Sequence, residues 1–192
     1  LHLCHHNLEK MGTEKIDNTH KLLLEVCMAA KYEGKSITGY YPIYQTIYKD
    51  YGSTICTVLA RSFADIGDIV RGKDPFYGNT YESAQREKLE NNLKRIFGDI
   101  YEELKKHKKL NEEAQKRYND DNENYYKLRE DWWEANRQEI WKAITCDDDK
   151  KLASASYFRE TCAGGTSPTP NKCRCSDNQV PTYFDYVPQY LR

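Results

Sequence analysis

The sequence DWWEANRQEIWKAITC, residues 131–146, decides the fold. Its apolar side chains Trp133, Ile140, Trp141 and Ile144 recur at the spacing of one face of an α-helix. All three tryptophans of the chain lie in this segment, and each buries on the order of 200 Å² when it packs. We assign the tryptophans to packing, so the segment predicts the central helix of a helical core.

Composition predicts a globular chain with a polar surface. Of the 192 residues, 39% are hydrophobic and 31% are charged, which is enough apolar material for one domain or two small subdomains. The net charge of −1 predicts no general affinity for nucleic acid. No run approaches the roughly 20 apolar residues of a membrane span, and no signal peptide is recognisable. The start at Leu1 and the helix expected after Pro188 indicate a piece of a longer protein.

Seven cysteines indicate a disulfide framework formed in an oxidising compartment. An odd number leaves one cysteine unpaired or bonded to a residue outside the chain. A zinc site is disfavoured because no C-x-x-C pair occurs and most histidines lie far from the C-x-C of residues 173–175. We expect Cys146 to pair with a cysteine of the later loop region. The candidates for disulfides are Cys4, Cys27, Cys56, Cys146, Cys162, Cys173 and Cys175.

Helical spacing recurs through the first 75 residues. Asn18 or Thr19 is expected to cap a helix that reaches residue 32 and ends at Gly34. The tyrosine-rich residues 37–51 contain Pro42 and are interpreted as a loop leading into a short helix. Ser53 or Thr54 begins a further helix, which the sequence GKDP at residues 72–75 ends.

Residues 83–109 give the clearest helical pattern, with Leu93 and Phe97 in an unbroken apolar series. Residues 112–146 are also predicted to be helical, with a break at 119–122. No segment alternates as a strand does, so we expect an all-α antiparallel bundle with long loops. The pattern divides the chain into a first part at about 1–80, a long-helix core at 83–146 and a cysteine-containing loop region at 147–192. The residues assigned to the core are Trp133, Trp141, Ile140, Phe97 and Leu93.

Catalytic motifs are missing from the sequence. Asp65 and Asp68 flank Gly67, but acids one turn apart are usually solvated or ion-paired. Cys4 precedes two histidines, yet catalytic partners usually come from distant segments. The sequence therefore predicts no enzyme, no catalytic residue, no metal site and no cofactor.

A basic stretch is the best candidate for binding. Residues 86–117 carry ten basic and seven acidic side chains, and the sequence KKHKK at 105–109 lies where cations favour a helix C-terminus. Two interpretations stay open, which are a solvated helix end and a site for the sulfates of a glycosaminoglycan. The residues of the candidate glycan site are Lys105, Lys106, Lys108, Lys109, Lys116 and Arg117.

Five blocks together resemble a Duffy-binding-like domain. They are LHLC (1–4), AKYEG (30–34), ARSFADIGDIVRGKDP (60–75), WWEANRQEIWKAITC (132–146) and VPTYFDYVPQYLR (180–192). The blocks span nearly the whole chain, and the segments between them look hypervariable. The pattern is most similar to the alpha class found in the variant erythrocyte membrane protein 1 family of Plasmodium falciparum. Such a domain would continue past Arg192 into a further helical subdomain, so the chain is expected to be a partial domain.

The resemblance implies a helical, disulfide-stapled adhesion module. Its expected partners are host cell-surface receptors or sulfated glycans such as heparan sulfate, together with antibodies, and not nucleic acid. The expected location is the outer face of the infected erythrocyte, with a membrane anchor outside this chain, and the expected roles are rosetting, cytoadherence and antigenic variation. The alternative is a structural or spacer piece that presents variable epitopes. Specificity is expected in the exposed loops between the quoted blocks.

Overall fold

A computed structural model describes residues 18–48, 54–73, 80–106, 111–118, 123–146 and 150–192. These residues form the α-helices α1 (Asn18–Tyr48), α2 (Ile55–Arg71), α3 (Thr80–Lys106), α4 (Asn111–Tyr118) and α5 (Tyr126–Ile144). Two 3-10 turns follow at Phe184–Tyr186 and Gln189–Leu191. Isolated bridges are the only β pairing in the described ranges. The prediction of an all-α fold stapled by disulfides is confirmed.

Helix α1 is longer than predicted. It continues past Gly34 and contains Pro42, so the predictions that Gly34 ends the helix and that a loop follows are wrong. Gly34 has a packing role instead, because a Cβ atom at this position would overlap the carbonyl oxygen of Ile144. The sequence alone does not distinguish a glycine that allows two backbones to approach closely from a glycine that ends a helix.

Helix α2 begins and ends as its sequence predicts. The amide of Thr57 donates to the side-chain oxygen of Thr54 at 3.3 Å, which is an N-cap interaction. At the other end, Gly72 adopts a φ of 69°. The amide of Lys73 donates to the carbonyl of Asp68 at 2.8 Å, and that of Gly72 donates to Ile69 at 3.1 Å. This pair of bonds is the Schellman motif, in which glycine ends a helix.

The later helices differ from prediction mainly at their ends. Helix α3 begins at Thr80, three residues before the predicted start at Ser83. Within residues 112–146, α4 ends at Tyr118 and α5 begins at Tyr126, and the break predicted at 119–122 lies outside the described residues. None of the described helices combines the length and the apolar character that a membrane span requires.

The chain divides into two compact units. The first comprises Leu1–Glu25 and Asp68–Asn136, and the second comprises Val26–Gly67 and Arg137–Arg192. The three sequential parts expected from the sequence stay a prediction.

In the first unit, aromatic rings and the buried Arg129 fill the core. Phe97 packs edge-to-face on Trp132, with centroids 6.0 Å apart, and Leu93 and Trp133 are also buried. Arg129 is buried and bonds both carboxylate oxygens of Glu90, at 2.7 and 2.9 Å. The same guanidinium donates to the carbonyls of Val70 and Ile69 at the end of α2. With a further bond to the carbonyl of Asn124 at 3.4 Å, the buried charge is matched by a carboxylate and three backbone acceptors, as burial of a charge requires.

In the second unit, Trp141 is a central residue of the core. Its ring meets Phe63 edge-to-face at 5.2 Å, and its indole N–H donates to the carbonyl of Cys173 at 3.1 Å. Ile140 is fully buried beside it. Arg174 donates to the hydroxyl of Thr145 and to the carbonyl of Lys142. The end of α5 is therefore capped by the loop region that follows it.

Two disulfides fix that loop region. Cys56 bonds Cys173 across 117 residues, and Cys162 bonds Cys175 across 13 residues. The prediction that Cys146 pairs with one of the later cysteines is wrong, because all three of those already have other partners. Cys27 forms no disulfide, and burial raises the pKa of its thiol to about 11, with Glu139 acting in the same direction. Cys4 lies outside the described residues.

Candidate functional site

Three tyrosines of the first unit bring two of the predicted basic residues, Lys105 and Arg117, together. Tyr101 of α3 meets Tyr118 of α4 edge-on at 6.3 Å, and it lies 6.0 Å from Tyr125, which precedes α5. We call this group the tyrosine cluster. Its rings join the last turns of α3 and α4 to the start of α5, so side chains that are distant in sequence become neighbours.

Two residues of the candidate glycan site lie on this cluster. The ammonium of Lys105 lies 4.8 Å from the ring centroid of Tyr101, one helical turn away. The guanidinium of Arg117 lies 6.0 Å from the centroid of Tyr118. Both separations fall in the range of cation–π attraction. The tyrosine pair therefore holds two of the predicted cations in one place.

One of these cations, Arg117, already forms an ion pair with a carboxylate. Arg117 donates to both carboxylate oxygens of Asp131, and the bond from Nη2 to Oδ1 measures 2.6 Å. The hydroxyl of Tyr118 donates to the same carboxylate at 2.7 Å. The bond from Arg117 lowers the pKa of Asp131, against the effect of burial. Burial and the bond to Asp131 together raise the pKa of Tyr118 to about 12, so Tyr118 stays a neutral donor at physiological pH.

The lysines of the candidate glycan site differ in their ion pairing and exposure. Lys105 pairs with Glu102 one turn earlier on α3, and the hydrogen bond to Glu102 raises the pKa of the ammonium. Lys106 and Lys116 are exposed on the last turns of α3 and α4. Lys108 and Lys109 lie outside the described residues. Solvent and salt screen a surface pair such as Lys105–Glu102, so an incoming anion can compete for its lysine.

A pocket of about 590 Å³ lies between α4 and α5 of the first unit. It opens beside the tyrosine cluster through Arg117 and Asp131. Its lining has equal numbers of basic and acidic side chains: Glu113, Lys116, Arg117, Lys127, Glu130 and Asp131. The pocket itself is therefore charge-balanced and has no net attraction for a polyanion.

Asp65 and Asp68, the acidic residues considered as a candidate catalytic or metal-binding pair, each accept a hydrogen bond from an arginine. Asp65 accepts a bond from Arg192 at 3.0 Å, and Asp68 accepts one from Arg71 at 3.2 Å. Cys4, His5 and His6 lie outside the described residues. In the part of the chain that is described, no group of three or more His, Cys, Asp or Glu side chains is placed to hold a metal ion.

Sequence reasoning missed the residues that organise this site. The sequence analysis predicts no role for Tyr101, Tyr118 or Tyr125. The four-residue step from Tyr101 to Lys105, and the adjacency of Arg117 and Tyr118, were signals that a cation–π pairing was available. No local pattern connects Asp131 to Arg117, because the fold alone makes them neighbours.

The comparison with known proteins gives a family. The model of the Duffy binding domain matches residues 1–192, the whole chain. A search of curated proteins finds no match to the chain. Duffy binding domains are extracellular adhesion modules that bind receptors, and they are helical, as the described residues of this chain are. This chain belongs to the Duffy binding domain family.

Proposed function

We propose that the chain is an alpha-class Duffy-binding-like module of the Plasmodium falciparum erythrocyte membrane protein 1 family. It acts on the outer face of the infected erythrocyte and binds host red-cell receptors or glycans such as heparan sulfate. Family membership over the whole chain supports an adhesion role. The blocks at residues 60–75, 132–146 and 180–192 support the finer assignment by their resemblance to that class.

The observation that carries the glycan proposal is the arrangement of Lys105 and Arg117 around one pair of tyrosine rings. Lys106 and Lys116 add exposed ammonium groups on the same two helices. Sulfates bind such clusters by charge and by hydrogen bonds from the cations. A sulfated chain is therefore matched by this cluster, whereas a neutral sugar is not.

Retention on a heparin column tests this proposal. We expect the chain to bind at low ionic strength and to elute as salt rises, because screening weakens interactions between exposed charges. A variant with Lys105, Lys106, Lys108 and Lys109 changed to alanine is expected to elute at distinctly lower salt. The matched control changes Lys21, Lys31, Lys35 and Lys151, which removes the same charge elsewhere. Equal elution of the two variants, or no retention of the wild type, contradicts the glycan proposal.

A structural role is the second candidate. The pairing of Arg117 with Asp131 and of Lys105 with Glu102 favours it, because both cations already have carboxylate partners. In that role the helices present variable loops to antibodies and make no receptor contact of their own. A chain that folds and yet binds neither heparin nor red cells, while a longer form of the domain binds them, supports this second candidate.

A further inference from the structure

The second unit has an aromatic surface that the basic stretch does not explain. The ring of Phe158 is 45% exposed. It lies 4.8 Å from the centroid of Tyr157 and 6.5 Å from that of Phe184. Three rings from two distant segments thus meet, with Tyr157 buried beneath the other two. Clustered exposed aromatic rings are a frequent feature of protein-binding surfaces.

Two exposed arginines, Arg159 and Arg61, lie near these rings. The guanidinium of Arg159 lies 4.9 Å from the ring centroid of Phe158. Burial raises the pKa of Tyr157, whereas its bond to Thr182 and the nearby charges of Arg159 and Arg61 oppose that rise. Neither Arg61 nor Arg159 makes an ion pair with any described residue. The exposed carboxylate of Glu160, next in sequence, does not pair with Arg159. The surface therefore has aromatic area and positive charge that are both available to a partner.

The backbone beneath this surface is held in place. The hydroxyl of Thr169 accepts the amide of Tyr157 at 2.7 Å, and the hydroxyl of Ser156 donates to the carbonyl of Thr169 at 3.1 Å. The phenol of Tyr157 bonds Thr182 at 3.1 Å. The Cys162–Cys175 disulfide closes the loop between these segments. Since the backbone and the ring of Tyr157 are held in place before binding, less conformational entropy is lost when a partner docks.

We propose that Phe158, Arg159 and Phe184 form a docking surface for an acidic polypeptide segment that carries aromatic side chains. A carboxylate of the segment pairs with the guanidinium group of Arg159, which matches planar anions in a bidentate way. Its aromatic side chains pack on Phe158 and Phe184. Charge complementarity favours an acidic partner over a basic or neutral one. This surface belongs to the second unit, so the proposal does not depend on the glycan site of the first unit.

Fluorescence anisotropy tests the proposal with the full chain and a labelled random copolymer of glutamate and tyrosine. We expect saturable binding that weakens at least tenfold in Arg159→Glu and in Phe158→Ala. The control Lys35→Glu makes the same charge change on an exposed position of α1, and its affinity is expected to stay within twofold of wild type. Circular dichroism of each variant verifies that the fold is intact.

Three outcomes overturn the proposal. The first is no binding of the copolymer by the folded wild type. The second is an equal loss in Arg159→Glu and Lys35→Glu, which would indicate a general charge effect. The third is equal affinity for polyglutamate of the same length, which would remove the role of the rings. The variant with four lysines of the 105–109 stretch changed to alanine is expected to bind the copolymer as wild type does, so failure of the glycan proposal is distinguishable from failure of this one.

Discussion

The guanidinium of Arg137 holds the carboxylate of Asp185 through two buried hydrogen bonds of 2.9 and 2.8 Å. A third bond, of 2.9 Å, reaches the carbonyl of Thr182. The ion pair joins α5 to a segment that has only 3-10 turns, 48 residues further along the chain. Together with the two disulfides, it explains how residues 150–192 keep a defined structure with little regular secondary structure.

Removal of one partner of this pair is expected to destabilise the protein strongly. Arg137→Met leaves the carboxylate of Asp185 buried without its cation, and such a loss typically costs about 3–5 kcal/mol. Urea denaturation monitored by tryptophan fluorescence measures the change. The control is Arg95→Met, which removes an exposed pair with Asp99 and is expected to cost under about 1 kcal/mol. Similar losses in the two variants would contradict the assigned role of the buried pair.

Two glycines of α1 are expected to respond to alanine in opposite directions. At Gly34 a Cβ atom would overlap the backbone of Ile144, so Gly34→Ala is expected to cost about 1–3 kcal/mol through overpacking. At Gly39 the nearest atom is the ammonium nitrogen of Lys151 at 4.0 Å. Gly39→Ala is therefore expected to raise stability by about 0.5–1 kcal/mol, because alanine has less backbone freedom to lose. Thermal unfolding of both variants gives the signs, and destabilisation by both would refute this account of α1.

The two disulfides are expected to contribute unequally. In the chain-entropy model, a loop of 117 residues restricts the unfolded state by about 5 kcal/mol and one of 13 residues by about 3 kcal/mol. The double variant Cys56→Ala/Cys173→Ala should therefore be less stable than Cys162→Ala/Cys175→Ala. Guanidinium denaturation ranks the two variants, and a reversed order would mean that strain or residual unfolded structure dominates. A mass map of non-reduced peptides tests the pairing itself.

Acid is expected to remove the contribution of Asp131. Its pKa is lowered in the folded state by the bond from Arg117, so the stabilisation is present above the unfolded value of about 3.9 and is lost as pH falls through the folded pKa. Asp131→Asn should therefore be less stable than wild type at pH 7, and the difference should shrink below about pH 4. Urea denaturation across this range measures the difference. A gap that stays constant with pH would show that the ionised form is not what stabilises this contact.

The sequence predicts the parts of the fold that local patterns determine. Thr54 and Gly72 mark the two ends of α2, and the apolar series through Leu93 and Phe97 marks α3. Gly34 was misassigned because its close neighbour, Ile144, is 110 positions away. The prediction of a partner for Cys146 was wrong for the same reason, since nothing local in the sequence indicates that Cys173 lies beside Cys56. The basic residues of the candidate site were visible in the sequence, but the tyrosines and Asp131 that position them depend on tertiary contacts.

Binding to intact erythrocytes tests the central claim, which is adhesion to a host surface. Flow cytometry of the labelled chain is carried out before and after heparan sulfate is removed from the cells with heparinase. We expect clear binding to untreated cells, a marked fall after treatment, and a similar fall for the variant in which Lys105, Lys106, Lys108 and Lys109 are alanine. Absence of binding by the correctly disulfide-bonded chain, or binding unchanged by both interventions, would contradict the proposed glycan recognition.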